Sequence, residues 1–382
     1  MNIEDIKEIA VIGSGDMGHG IAEVAVLSGY NIIMNDIKQE FLDSARDRIT
    51  KSLEILASKN KITEERMKNS LVNLSATLKL EGAVKNANLV IEAVPEILSL
   101  KKEIFPKIDA ILPKDGIIAT NTSNMSITEL ARVTNRPDRV VGLHFFNPAI
   151  IMKLVEVIKG EKTSEETMDL MVQFVKKIDK IPVKVLKDSP GFIVNRVTAP
   201  VNILLGKIID SNIEEPGRVD ASVKAMGMPM GPFELADYVG LDVMLHSMEY
   251  FKETLNPDYE IPKWLKQKVE KNELGKKTGK GIYDWSKGRP DLSGFKPSNK
   301  FHIEDLMAVQ VNEATKLVEE GVVENPRQID RAIKNGTGNK VGVISLAKSF
   351  GLDKMAICCE ELAKKFNVET FKPTKMLSEG QI

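Results

Sequence analysis

Apolar and polar positions in the first part of the chain follow two rhythms. Glu8–Gly13, EIAVIG, is a short apolar run that ends at glycine, the pattern of a strand buried on both faces of a parallel sheet. Gly13-Ser14-Gly15-Asp16-Met17-Gly18 comes next, and IAEVAVLSG then carries apolar residues at helical spacing. Asn31–Asn35, NIIMN, is a second apolar run and stops at Asp36. These pieces predict strand, glycine turn, helix, strand, acid. From Lys38 to about Lys68 the rhythm slows: Phe41, Leu42, Ala45, Ile49, Leu53 and Leu56 recur at steps of three and four. That spacing predicts an amphipathic helix, a break near Asn60 and a further helix from Thr63. Strands are expected again at Leu89–Ala93, Gly116–Ala119 and Val140–Phe145, with a strand-like run at Lys153–Ile158. Strands alternating with helices predict an α/β fold, an N-terminal Rossmann-type doubly wound sheet.

Beyond Lys187 the pattern changes. Ser189-Pro190-Gly191 is a boundary signal, and the chain then reads as mostly α-helical to about Leu274. Gly288–Lys300, with two prolines and two glycines, reads as a connector. The remainder repeats what precedes it. Ile213–Asp220, IEEPGRVD, matches Val323–Asp330, VENPRQID, at an offset of 110. Phe233-Glu-Leu-Ala and Gly240-Leu-Asp242 match Ile344-Ser-Leu-Ala and Gly351-Leu-Asp353 at an offset of 111. A C-terminal domain in two repeated helical copies follows. The expected division is 1–187 for the sheet domain with its inserted helical arm, 188–288 for the first helical copy and 295–382 for the second. Both copies are read as helical packing units. A sharper alternative is that the second stands in for a partner subunit, which allows a monomer as well as a homodimer.

Composition narrows the class. The 382 residues suffice for two or three domains, and a net charge of −1 argues against nucleic acid as a partner. Cys358 and Cys359 are adjacent, which gives neither a disulfide framework nor a metal-binding spacing. No metal is expected. The opening MNIEDIKEIA lacks the apolar core of a secretory signal, and no long apolar stretch suggests a membrane span. A cytoplasmic chain with no membrane partner is the expectation.

The glycine loop has the context that gives GxGxxG meaning: a strand before it, a helix after it and an acid closing the next strand. Gly13 permits the tight turn, Gly15 lets backbone approach a pyrophosphate, and Gly18 lets helix and strand pack closely. Phosphates then meet the helix N-terminus, where unpaired N–H groups and the dipole favour negative charge. Met17, inside the loop, is counted with the cofactor-binding residues. Asp36 is placed to accept hydrogen bonds from ribose hydroxyls and to repel a 2′-phosphate, so NAD is expected rather than its phosphorylated form. The competing account is a glycine turn with no ligand. His19 is read as a helix-start residue.

Four histidines are present: His19, His144, His246 and His302. A proton acceptor for redox chemistry at neutral pH is usually His or Lys. His144 ends the apolar run of VVGLHFFNP, and ligands of open α/β sheets lie at strand ends. Glu156 lies in the strand-like KLVEVI. If the two runs pair antiparallel about Ile150, residues whose numbers sum to 300 face each other, and His144 meets Glu156. An opposed carboxylate would fix the imidazole tautomer and stabilise an imidazolium. Spacing alone is equally compatible with a solvated pair at a domain edge.

Taken in order, His144-Phe-Phe-Asn-Pro148, Leu154-Val-Glu-Val157, Ser189-Pro-Gly-Phe-Ile-Val-Asn-Arg196, Gly231-Pro-Phe-Glu-Leu235 with Gly240-Leu-Asp242, and Lys277-Thr-Gly-Lys-Gly281 resemble the L-3-hydroxyacyl-CoA dehydrogenase family. The resemblance covers about Ile9–Trp285, and the C-terminal repeat resembles the second helical copy in the dehydrogenase half of multifunctional fatty-acid oxidation proteins. Their hydratase half is expected to be missing here, and a separate enoyl-CoA hydratase is a possible partner. The resemblance implies NAD-dependent oxidation of L-3-hydroxyacyl-CoA to 3-ketoacyl-CoA, and the reverse, on short chains such as 3-hydroxybutyryl-CoA. It implies His144 as general base, Glu156 as its charge partner, and Ser123 and Asn195 as hydrogen-bonding partners of substrate oxygens. It further implies Glu96 and Lys101 along the cofactor site, Asn147 and Lys277 near the nicotinamide, and Ser52 and Lys59 as coenzyme A contacts on the arm. Pro95 departs from the family pattern, and the arm matches it only loosely. Two other functions stay open at this point: a relative acting on a free 3-hydroxy acid or sugar acid, and a non-enzymatic NAD-binding protein.

Overall fold

Eight strands form one sheet: β1 (Glu8–Ile12), β2 (Asn31–Asn35), β3 (Leu74–Thr77), β4 (Leu89–Glu92), β5 (Ile117–Thr120), β6 (Val140–Phe145), β7 (Leu154–Ile158) and β8 (Ile181–Val185). The computed structural model describes all 382 residues. The strand order is β3-β2-β1-β4-β5-β6-β7-β8. The first six strands run parallel, β7 is antiparallel to β6, and β8 is parallel to β7. Order 3-2-1-4-5-6 is the doubly wound arrangement expected from the sequence, and helices such as Asp16–Leu27 and Leu98–Ile111 supply the crossovers. β4, β5, β6 and β7 are buried along their whole length, which is why they read as unbroken apolar runs.

Two strands carry no such signal. β3 is LSAT, a four-residue edge strand with two exposed positions. β8 is IPVKV at the other edge. Pro182 and Lys184 interrupt its apolar run, and proline is tolerated there because an edge strand has a free side. The arm is a 20-residue helix, Gln39–Ser58, followed by Glu64–Val72, whose N-cap Thr63 accepts from Arg66 N. Asn60 stands between them at a positive φ of 53°.

The chain divides into two compact units: Met1–Ile193 with Gly321–Lys340, and Val194–Glu320 with Val341–Ile382. This differs from the three segments expected from the sequence, and the reason is one helix. Pro326–Thr337 belongs to the second repeat, yet it packs on β7 and β8 and buries Ile329, Ala332 and Ile333. Leu186 N, just after β8, donates to Val322 O at 2.7 Å and holds the start of this insertion against the sheet.

The repeat itself is visible helix by helix. Val194–Asp210, Pro216–Ala225, Pro232–Val239 and Leu241–Thr254 recur as Ile303–Glu319, Pro326–Thr337, Val343–Phe350 and Leu352–Phe366. Gly240 and Gly351 each join the third and fourth helix at φ 120° and 99°, a backbone conformation other residues rarely adopt. Within the second unit the leading helices of the two copies, Val194–Asp210 and Ile303–Glu319, pack on each other. Arg196, 2% exposed, spans them: its Nε donates to Glu313 Oε1 at 2.8 Å and its two terminal nitrogens donate to Glu320 at 2.7 Å each. Glu313 is equally buried, and truncating the arginine leaves it only Lys316, whose Nζ donates to Oε2 at 3.0 Å. Arg196→Ala should lose stability in a chemical denaturation experiment, by up to about 3–5 kcal/mol if Glu313 is left uncompensated; a loss under about 1 kcal/mol would mean that Lys316 alone satisfies Glu313.

Candidate functional site

The ends of β1, β2, β4, β5 and β6 lie along one edge of the sheet, where Gly13, Asp36, Ser123 and His144 are found. β1 runs into Gly13, at φ 93°, where a Cβ would lie 2.6 Å from Ala93 O. At Gly18 a Cβ would lie 1.9 Å from Gly13 O. Packing therefore forbids side chains at both. Gly15 is different: nothing lies within 4 Å of its Cβ position, and its φ of −64° suits any residue. The protein's own packing gives no reason for glycine at this point, whereas a ligand lying on the loop does. Gly15 also N-caps Asp16–Leu27 without a side-chain cap bond, which leaves the helix N-terminus to an incoming anion. These features fit a dinucleotide pyrophosphate.

Asp36, half-buried at the end of β2, fastens the loop. Its Oδ2 accepts from Ser14 N and Ser14 Oγ at 2.7 Å each, and its Oδ1 accepts from Ile37 N at 2.7 Å. Ser14 is a partner that the sequence did not point to.

Glu92, ending β4, is fully buried and fully satisfied. It accepts from Val94 N at 2.8 Å, Lys101 Nζ at 2.6 Å and Thr120 Oγ1 at 2.7 Å. Lys101 is 1% exposed and also lies 3.2 Å from Glu96. Its ammonium thus ties Glu92 to Glu96, so the place expected for it along the cofactor site is taken up by a buried link between two acids. Glu96 remains exposed and accepts from Thr122 Oγ1 at 2.5 Å and Ser123 N at 2.8 Å. Ser123 lies half-buried on the loop after β5. On the same loop Asn121 Oδ1 accepts from Phe145 N at 2.9 Å and joins this loop to the end of β6.

His144 lies on β6, directly opposite Glu156 on β7 in the observed register. Its Nδ1 is 2.6 Å from Glu156 Oε2. Glu156 is 0% exposed, and its Oε1 accepts from Ile193 N at 3.1 Å. Phe146 and Phe192 flank the imidazole with centroids 4.4 and 5.8 Å away. A carboxylate on Nδ1 favours the tautomer with its proton there, leaving Nε2 as the acceptor. Asn147 follows, exposed, at the cis peptide bond to Pro148.

The turn after Asn147 rests on a lysine that sequence alone gave no cue for. Lys180, buried, donates to Ala149 O at 2.5 Å and Met152 O at 2.8 Å. Burial pushes its pKa down to about 8, with Lys153 adding to the effect. Glu23, on Asp16–Leu27, is buried too and exerts a compensating attraction on Lys180. Glu23 Oε1 accepts from Ser52 Oγ at 2.5 Å. The Ser52 hydroxyl is therefore engaged inside the protein, while Lys59 is exposed at the C-cap of the arm helix. The remaining expected residues lie in the second unit. Asn195 is half-buried in the first turn of Val194–Asp210, and Lys277 forms an ion pair with Asp242.

Burial is the largest influence on Glu23 and lifts its pKa to about 7, against the opposing Ser52 bond and Lys180 charge. An acid with a raised folded-state pKa contributes stability below its unfolded pKa near 4.5 and loses it as pH rises through about 7. Glu23→Gln removes that titration. The variant should match the parent near pH 4.5 and exceed it by on the order of 2 kcal/mol at pH 8. Thermal denaturation across this range checks it, and parallel curves for the two proteins would refute a raised Glu23 pKa.

Comparison with known proteins agrees with the geometry. The family model described as 3-hydroxyacyl-CoA dehydrogenase, NAD binding domain, matches residues 8–189. That described as 3-hydroxyacyl-CoA dehydrogenase, C-terminal domain, matches residues 191–285 and 301–380. A probable 3-hydroxybutyryl-CoA dehydrogenase of Bacillus subtilis is 41% identical over 283 residues, 74% of this chain and 98% of its own. A fatty acid oxidation complex subunit alpha of a Psychrobacter species is 35% identical over 388 residues, 95% of this chain and 53% of its own, so the chain spans about half the length of that relative. The crystal structure of 3-hydroxybutyryl-CoA dehydrogenase from Escherichia coli superposes with a TM-score of 0.91 at 27% identity, covering 98% of both chains. The chain belongs to the 3-hydroxyacyl-CoA dehydrogenase family.

Proposed function

We propose that this protein oxidises L-3-hydroxyacyl-CoA thioesters to 3-ketoacyl-CoA, and catalyses the reverse, on short acyl chains such as 3-hydroxybutyryl-CoA. The observation that carries the proposal is the buried His144–Glu156 pair near the end of β6, at the same edge of the sheet as the glycine loop that follows β1. Its family membership and its likeness to the B. subtilis and E. coli proteins support the substrate class. NAD, when bound, supplies the hydride acceptor. Gly13, Gly15, Met17 and Gly18 hold its pyrophosphate, and Asp36 its adenosine ribose.

In this mechanism His144 Nε2 takes the proton of the C3 hydroxyl as the C3 hydride departs. Glu156 stabilises the imidazolium so formed and keeps its N–H on Nδ1. In the reverse direction the imidazolium returns the proton to the 3-keto oxygen. Ser123 and Asn195 orient the substrate oxygens, with Glu96 holding the Ser123 backbone. Asn147 and Lys277 serve the nicotinamide end, Lys101 acts through Glu92 and Glu96, and Ser52 and Lys59 mark the coenzyme A side of the arm. The packing of Val194–Asp210 on Ile303–Glu319 supports a second copy that takes a partner's place. That arrangement allows a monomeric enzyme as well as a homodimer, working in the cytoplasm and supplied by a separate hydratase. No helix is long and apolar enough to cross a membrane.

Purified protein should consume NADH with acetoacetyl-CoA but not with free acetoacetate, and NADPH should not replace NADH. Turnover of the free acid would favour a hydroxy-acid enzyme; NADH binding without turnover of either would favour a non-enzymatic role. His144→Gln should lower kcat by about 10²–10⁴-fold with NADH affinity retained; unchanged turnover would remove His144 from the chemistry. Gly15→Ala should leave the melting temperature unchanged, because its Cβ meets nothing. The same variant should weaken NADH binding by on the order of tenfold or more, and unaltered affinity would show that the ligand does not lie on this glycine.

A further inference from the structure

The arm helix Gln39–Ser58 buries Leu42, Ala45, Ile49 and Leu53. Beside that face Arg48, Ser52 and Ile55 stand at i, i+4 and i+7, with Lys59 at i+11, and form one stripe along the helix. The upper end of the stripe reaches the glycine loop. Arg48 Nη2 donates to Asp16 Oδ1 at 2.7 Å, and Asp16 directly follows Gly15. The arginine side chain is 47% exposed and that of Asp16 74%.

Asp16 suits the dipole of the helix it begins, but its charge opposes any phosphate brought to the same N-terminus. Arg48 cancels that charge. A guanidinium also has five N–H donors in a planar fork matched to phosphate oxygens, and the bond to Asp16 uses Nη2. Its field reaches one turn into the helix: His19 has a lowered pKa, through burial first and the Arg48 charge among the further causes. An exposed cation from a second element is thus fastened one residue after Gly15. A pair this exposed contributes little to stability, so Arg48 can be replaced without loosening the fold.

We propose that Arg48 is a phosphate ligand, its guanidinium binding a pyrophosphate that lies against the Gly13–Gly18 loop. The assignment rests on the dehydrogenase function proposed above. Both of that enzyme's ligands, the dinucleotide and the acyl-CoA, carry a pyrophosphate diester, and separate binding measurements tell them apart.

The test uses the full chain with Arg48→Ala, Arg48→Lys, Asp16→Asn and the double variant R48A/D16N. NADH affinity is read by nicotinamide fluorescence and acetoacetyl-CoA affinity by calorimetry, each at low and high salt. R48A should melt like the parent and raise the dissociation constant of one ligand about tenfold at low salt, with a shallower salt dependence. R48K should recover part of the loss. A weaker NADH complex identifies the dinucleotide as the source of the pyrophosphate, and a weaker thioester complex identifies coenzyme A. Dissociation constants within about twofold of the parent for both ligands would overturn the assignment. So would recovery of parental affinity in R48A/D16N, because Arg48 would then only neutralise Asp16. Failure of the parent itself to bind NADH or the thioester would instead strike the proposed function, and the Arg48 assignment with it.

Discussion

The carboxylate of Glu156 is removed entirely from water, and the arrangement around it follows from that. A buried charge is tolerated only when its oxygens are met by donors. Here His144 Nδ1 meets one oxygen and Ile193 N–H the other. Three stretches are thereby fixed relative to one another: β6, β7, and the segment after β8 that closes the first unit. The antiparallel register is equally constrained. Slipping β7 by one residue would turn Glu156 to the other face of the sheet and leave its charge among the core aliphatics. Satisfying this one group therefore also aims the imidazole, because the bond that neutralises the carboxylate selects the ring's tautomer.

The same logic recurs two strands away. Glu92 is buried at the end of β4 and draws in Val94 N, Lys101 and Thr120, while Glu96 gathers the backbone of the loop after β5. Asn121 then carries the connection across to Phe145 N on β6. The exposed residues at this edge of the sheet are thus supported from below by a line of satisfied polar groups. Loops alone would not hold side chains to the tolerance that hydride and proton transfer demand. It also explains why Lys101, which has the composition of a ligand-binding residue, is found inside the protein: a buried acid required a buried base.

What could be read from sequence depended on whether a local rule was sufficient. The glycine loop was legible because three glycines at fixed spacing are each demanded by backbone geometry or close approach. The pairing of β6 with β7 was legible because a short connection leaves few registers, and His144 with Glu156 falls in the one centred on Ile150. β3 and β8 were not, since edge strands need no apolar run on both faces. The buried bonds of Ser52 and Lys180 were beyond reach for another reason. Their partners Glu23 and Ala149 lie 29 and 31 residues away, and nothing in the local pattern of either residue announces a buried polar bond. The helix Pro326–Thr337 shows the same limit at the level of domains. Its sequence resembles Pro216–Ala225, but where it packs is decided by a sheet face that needed covering.

The two helical copies separate what packing requires from what it does not. Gly240 and Gly351 persist with the same unusual backbone, and Met244 and Met355 are buried at equivalent places. These positions answer to the helical unit itself and are alike for that reason. The exposed positions are not alike. Tyr238 and Val243 of the first copy are exposed apolar side chains, and at the offset of 111 they correspond to Ser349 and Lys354, both exposed and polar. A helical pair can therefore fold with either surface, so the fold does not demand the apolar one. An exposed apolar side chain gains nothing from water. The exchange also runs the other way, since Ile357 of the second copy is exposed where the first copy has the exposed, polar His246, so packing of the shared helical unit fixes its buried positions and leaves its outward ones open in both copies.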